Sequence, residues 1–246
     1  MPLTREEVFP KFLARQYPGY TKHLSRAFPN VVLPKSRVIR DVCGSCNNEY
    51  LSQLDDFASR FCRQLGLVAP GQRRQVHYDH HLLARWLWKV CYNSARSNGE
   101  TLGHLQSLTP YILGRAAQPP APQSLIAGVI RTDRCTDEER QVLHSEFLYP
   151  KGIRIGTVDK RRLPLATVAA LLSVNSYFFV ALGWAQGVSR TQRREMVREI
   201  VRRDGGTVLP EGSRHVLIPE TTMSSREYLS RNCWSPDPAS SARGRG

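Results

Sequence analysis

Residues 163–189 form a run of 27 positions without one charged side chain, bounded by Lys160-Arg161-Arg162 and Arg190. So long a run has two physical outlets. One is a bilayer, whose hydrocarbon core takes about 20 apolar residues as a helix; the other is the interior of a folded domain. The run carries Pro164, Ser173, Asn175, Ser176, Gln186 and two glycines. Its aromatic cluster Tyr177-Phe178-Phe179 falls in the middle, away from the ends where interfacial aromatics gather. The reading is therefore a buried core, with a helical turn over 168–172 followed by a strand over 176–182. A membrane-associated protein anchored through 168–182 is the alternative. With 246 residues, 41% hydrophobic and 23% charged, the chain has the material for such a core, and disorder throughout is excluded.

The remainder divides by pattern. Prolines at 10, 18, 29 and 34 limit any helix in the first 35 residues to about two turns. Residues 36–42 read as a short strand that feeds into Cys43-Gly44-Ser45-Cys46. From there Tyr50, Leu51, Leu54, Phe57, Phe61 and Leu65 recur at helical spacing, with Asn47 or Asn48 as the expected N-cap and Gly66 as the stop. A second helix is expected over 79–97 and a third over 101–115. Beyond Gln118-Pro119-Pro120-Ala121-Pro122 come strands over 124–131 and 152–158, a basic helix over 189–203 and a strand over 215–218. The expected organisation is α+β: a module at 1–70, a helical segment at 71–117, a C-terminal α+β region at 118–234 and a disordered tail at 235–246.

Lys and Arg number 35 against 21 acidic residues, a formal charge of +14. That excess selects polyanionic partners, nucleic acid before an anionic membrane surface. On the basic helix, Arg190, Arg194, Arg198 and Arg202 align at i, i+4 spacing, either as an ordinary solvated face or as a ridge that tracks phosphates. The six cysteines do not form a secreted disulfide framework, because no apolar export signal precedes them; a reducing, cytoplasmic setting is expected.

Cys43 and Cys46 end a strand and open a helix, the arrangement of a zinc knuckle. Two thiolates supply half of the tetrahedral set that a structural Zn(II) site requires, so the pair is a partial site. The knuckle has a companion. Thr4-Arg5-Glu6-Glu7-Val8-Phe9-Pro10-Lys11, followed by Val42-Cys43-Gly44-Ser45-Cys46-Asn47-Asn48-Glu49-Tyr50-Leu51, resembles a branch of the HNH endonucleases that reads T-x-E-H-V-F-P and then V-C-x-x-C-N. The resemblance covers about residues 3–66.

It implies an N-terminal ββα-metal module with the zinc knuckle, a nucleic-acid ligand (DNA before RNA), and metal-dependent phosphodiester hydrolysis assisted by Mg(II) or Mn(II). Its site residues carry over to Glu6, Glu7 and Asn47, with Cys43 and Cys46 on zinc. Glu7 stands where the family's general-base His belongs, and a carboxylate with a reference pKa of about 4.3 is a poorer base near neutrality. No Cys-x-x-Cys pair precedes the first motif; residues upstream of Met1 would hold it if Met1 is an internal start. The implied state is an eroded or truncated nuclease, and the rival reading is a non-catalytic nucleic-acid-binding or interaction protein.

Three further groups have two readings each. His77, His80 and His81 are core-edge histidines or substitutes for the missing base. Cys62 and Cys91 are small core residues or further zinc ligands. Trp86, Trp88, Lys89, Tyr92 and Arg96 are helix packing or a stacking platform for bases.

Overall fold

The computed structural model describes residues 3–8, 10–16, 23–25, 28–33, 38–97, 99, 103–149, 153–157 and 163–232; the tail expected at 235–246 lies outside them. The described elements run β1 (Leu3–Glu7), α1 (Lys11–Gln16), β2 (His23–Ser25), β3 (Phe28–Leu33) and β4 (Val38–Cys43). A π-helical turn (Cys46–Leu51) then leads into α2 (Ser52–Cys62), β5 (Arg74–His77), α3 (His80–Ser97), α4 (Gly103–Gln106) and α5 (Thr109–Ile112). The second half comprises β6 (Gln123–Arg131), β7 (Asp133–Arg134), α6 (Asp137–Leu143), β8 (Phe147–Leu148), β9 (Ile153–Thr157), β10 (Ala166–Val174) and β11 (Tyr177–Trp184). It closes with α7 (Arg190–Asp204), β12 (Thr207–Val208), β13 (His215–Ile218), β14 (Glu220–Ser224) and α8 (Ser225–Asn232). The class is α+β.

The uncharged run is a hairpin, not a helical turn before a strand. β10 and β11 pair antiparallel from Ala166↔Trp184 to Val174↔Tyr177. The sheet order is β12-β6-β11-β10-β9, with β14 parallel to β6 beside β12. Ala170, Leu172, Val174, Tyr177, Phe179 and Ala181 face one apolar cluster with α2 and α3. Ala169, Phe178, Val180, Leu182 and Trp184 face a second cluster with Val197 and Ile200 of α7. Strands covered on both faces lose the polar alternation that marks a half-buried strand, and this is why the run carries no charge. Among the described residues no helix is long and apolar enough to cross a membrane.

The hairpin tip is buried. Asn175 takes φ 51°, a left-handed conformation that Asn tolerates better than most residues. Its Nδ2 donates to Leu65 O at 2.9 Å, while Ser176 Oγ accepts from Val68 N at 3.3 Å. The loop after α2 thus satisfies the turn's polar groups in place of water. At the centre of the sheet Gly128 has no substitute, because a Cβ there would lie 2.5 Å from both Phe178 and Thr221 side-chain carbons.

Two expected helices change at their ends. The one after the cysteines starts at the knuckle itself and has no side-chain cap, so neither Asn47 nor Asn48 is its N-cap. The helix expected over 101–115 is two short pieces, with Pro110 in the first turn of the second, where its missing N–H costs nothing. By contrast α7 begins with a full capping box between Ser189 and Gln192 and ends at Gly205, φ 78°. The first apolar cluster takes in residues from Leu51 to Ile218, so the elements on either side of the 118–122 segment share one core.

Candidate functional site

β1 lies antiparallel on β4, with Leu3↔Cys43, Thr4↔Val42, Glu6↔Ile39 and Glu7↔Val38 in register. The opening residues therefore fold back beside the cysteines, and a helix follows directly. Asn47 ties the two parts together: its Nδ2 donates to Thr4 Oγ1 and to Arg5 O, both at 3.1 Å. Thr4 Oγ1 in turn donates to Val42 O at 3.0 Å. Exposed Arg5 and Arg40 line a surface cleft of about 420 Å³ with Leu3 and Thr4.

The two glutamates part company. Successive strand residues point to opposite faces, so Glu6 turns inward and Glu7 does not. Glu6 is buried, and its Oε1 accepts from Lys89 Nζ at 2.8 Å. Lys89 also reaches Asp55 Oδ1 at 2.7 Å, and Asn93 Nδ2 lies 3.5 Å from Glu6 Oε1. Burial pushes the Asp55 carboxyl up to about 6, against the opposing pull of Lys89. Glu7 pairs instead with Lys11 at 3.9 Å. The carboxylates do not converge on one point, and the inner one already has a cation. These donors do not fit a Mg(II) or Mn(II) site.

At the knuckle, Cys46 N donates to Cys43 Sγ at 3.2 Å and Ser45 Oγ sits 3.5 Å from the same sulfur. The Cys46 thiol hydrogen-bonds Cys43, which holds Cys43 down at about 7 and raises Cys46. Arg115 places a guanidinium nitrogen 3.6 Å from Cys46 Sγ while lying over the Tyr50 ring at 5.4 Å. No group of three or more His, Cys, Asp or Glu arranged for a metal occurs among the described residues. A guanidinium against one of only two thiols is a poor neighbour for a dication, so this pair does not fit a structural zinc site. Cys62 and Cys91 are buried in the core, away from the pair's surface setting, as small apolar residues.

Arg190, Arg194, Arg198 and Arg202 are all exposed on α7, whose inner face carries Val197 and Ile200. The ridge rests on the second apolar cluster, whereas β4 and the knuckle pack against the first. The sheet separates the two basic surfaces. The aromatic stripe of α3 is packing: Trp86 and Trp88 have no exposed surface, and Arg96 is spent on Asp41 and the Tyr92 ring.

The histidine group borders an open cleft of about 540 Å³, which Arg60, Arg214 and Glu211 also line. His81 joins a chain of hydrogen bonds. Trp88 Nε1 donates to Gln123 Oε1 and Gln123 Nε2 to Tyr111 Oη, each at 2.9 Å. Tyr111 Oη meets His81 Nδ1 at 3.1 Å, and His81 Nε2 meets Glu211 Oε1 at 2.9 Å. A neutral imidazole facing the Glu211 carboxylate carries its proton on Nε2, and Nδ1 then accepts from the phenol. His80 is buried and its Nδ1 has no hydrogen-bond partner among the described residues; burial pushes it toward the neutral form. His77 ends β5, while His80 and His81 open α3, nine and eight residues before the Lys89 that meets Glu6, about 12–13 Å along the helix, so they do not replace the missing base beside it.

Asp55, Tyr111 and Glu211 carry no sequence signal for a site, and Lys89 is read from the sequence only as part of the α3 stripe of aromatics and cations, not as the partner of Glu6. Lys89 alone leaves a sequence signal, a cation between Trp88 and Val90 on a helix that is apolar on both sides. A scan against family models, a search of curated proteins and a search of solved structures each return no match for the chain.

Proposed function

We propose that the chain is a non-cleaving nucleic-acid-binding protein of the HNH type, with the β-strand pair and helix kept and hydrolysis lost. One observation carries this reading. Asn47 still pins β1 beside the helix start, while Glu6 beside it is buried in an ion pair with Lys89. A carboxylate sealed against a lysine neither binds a catalytic cation nor takes a proton from water. The charge of +14 supplies the attraction to phosphate. The α7 ridge is the main phosphate surface, and Arg5 and Arg40 form a smaller one across the sheet.

The test measures affinity for duplex DNA, and separately for RNA, over a range of salt concentrations. Replacing Arg190, Arg194, Arg198 and Arg202 together by Ala should lower the slope of log affinity on log salt by about 3 to 4, near one per lost phosphate contact. Replacing Arg5 and Arg40 should lower it by about 2 or less. Plasmid incubated with the protein and Mg(II) or Mn(II) should stay supercoiled. An unchanged slope in the ridge variant overturns the assigned surface. Metal-dependent nicking abolished by Glu7→Ala with Asn47→Ala overturns the loss of hydrolysis.

A further inference from the structure

We infer that Cys43 and Cys46 form a redox-active dithiol, which closes to an intramolecular disulfide on reaction with a low-molecular-weight disulfide. The inference is independent of nucleic-acid binding. Three features of the site carry it. Both thiols are half-buried at the surface, whereas Cys62, Cys91 and Cys135 are enclosed in the protein. The pair spans the junction between β4 and the helix, with Cys43 ending the strand, and the two thiols hydrogen-bond each other, within a small closing movement of disulfide geometry. Finally, each sulfur has a different neighbour. Cys43 Sγ accepts the Cys46 backbone N–H at 3.2 Å and sits 3.5 Å from Ser45 Oγ, while Cys46 Sγ meets the Arg115 guanidinium at 3.6 Å.

Those neighbours divide the roles. Hydrogen-bond donors converge on Cys43 and favour its thiolate, so Cys43 is the attacking sulfur. It bonds to one sulfur of the small disulfide, and the other sulfur leaves as a thiolate. Cys46, its charge stabilised by Arg115 as its proton passes to solvent, then attacks the Cys43 sulfur of the mixed disulfide. The second small thiolate departs. In sum two protein thiols are oxidised, one small disulfide is reduced to two small thiols, and two electrons move. Gly44 and Ser45 are small enough to let the backbone close.

The experiment treats the full chain, pre-incubated with a chelator, with glutathione at graded ratios of oxidised to reduced form. Acid quenching, alkylation and peptide mass spectrometry then locate each cysteine's state. The expected result is a Cys43–Cys46 disulfide at ratios that leave Cys62 and Cys91 fully alkylatable only after unfolding. Cys46→Ser should trap a glutathione adduct on Cys43, and Cys43→Ser should leave Cys46 at least tenfold less modified. Circular dichroism of both variants confirms that they are folded. Two results overturn the inference: both thiols remain free at every ratio, or equal adduct formation occurs on Cys43 and Cys46 in the two variants. Zinc bound in full occupancy before chelation, protecting both thiols, overturns it as well.

Discussion

Helix α3 organises two polar clusters that differ in one respect, access to water. Toward its C-terminal half, Lys89 is 2% exposed and sits between Glu6 and Asp55. At its first turn, His81 is 36% exposed and links buried Tyr111 to Glu211, itself 59% exposed. The first cluster fastens β1, through Glu6, to α2 and α3. The second leaves an imidazole nitrogen and a carboxylate at the rim of a cleft. Carboxylates that look alike in a sequence thus have opposite fates, and enclosure beside a lysine turns one of them from chemistry to anchorage.

The sharpest way to break this contrast is Lys89→Met. Removing the cation strands the buried Glu6 carboxylate and the half-buried Asp55, and breaking a buried pair typically costs about 3–5 kcal/mol. Urea unfolding should show that loss, and adding Glu6→Gln with Asp55→Asn should restore a large part of it. If Lys89→Met unfolds like the parent, the cluster is not an anchor.

A smaller effect comes from pH. Asp55 titrates at about 6 in the fold against an ordinary value near 3.8, so the folded chain binds more protons than the unfolded chain between those values. Stability from this group is greatest at low pH and is lost as pH rises through about 6. The loss is about 2 kcal/mol or less, allowing for the partial exposure of the side chain. Melting curves from pH 4 to 7 should show this decline after subtraction of the Asp55→Asn variant, and identical profiles in the two proteins would remove the assignment.

Tyr111→Phe probes the other cluster and should cost about 1–2 kcal/mol, since Gln123 Nε2 loses its acceptor. Nitrogen-detected NMR should show the His81 Nδ1 resonance move as the phenol's hydrogen bond is lost, while the proton stays on Nε2 opposite Glu211. An Nδ1 resonance that does not respond would mean that the phenol does not orient the ring.

Much of this architecture was legible in the residues. The strand before Cys43, the two long helices and the capped start of α7 follow from spacing and caps. The return of the opening strand to the knuckle is instead what the HNH resemblance, with its ββα unit, implies; spacing alone does not give it. The β10–β11 hairpin was not legible, because burial on both faces erases the period of two. The fate of Glu6 was hidden for another reason. Its partner lies 83 residues away in the sequence, and no local pattern marks which of two adjacent glutamates a distant lysine will meet.

The buried turn at Asn175 and Ser176 has a consequence for synthesis. Leu65 and Val68 find their partners 110 and 108 residues later, when more than two thirds of the chain has left the ribosome. Until then the apolar sides of α2 and α3 have no sheet to cover them, and contacts of such separation form slowly. The nascent first half is therefore a natural client for chaperones, and truncation before the hairpin should leave a polypeptide that sticks to itself.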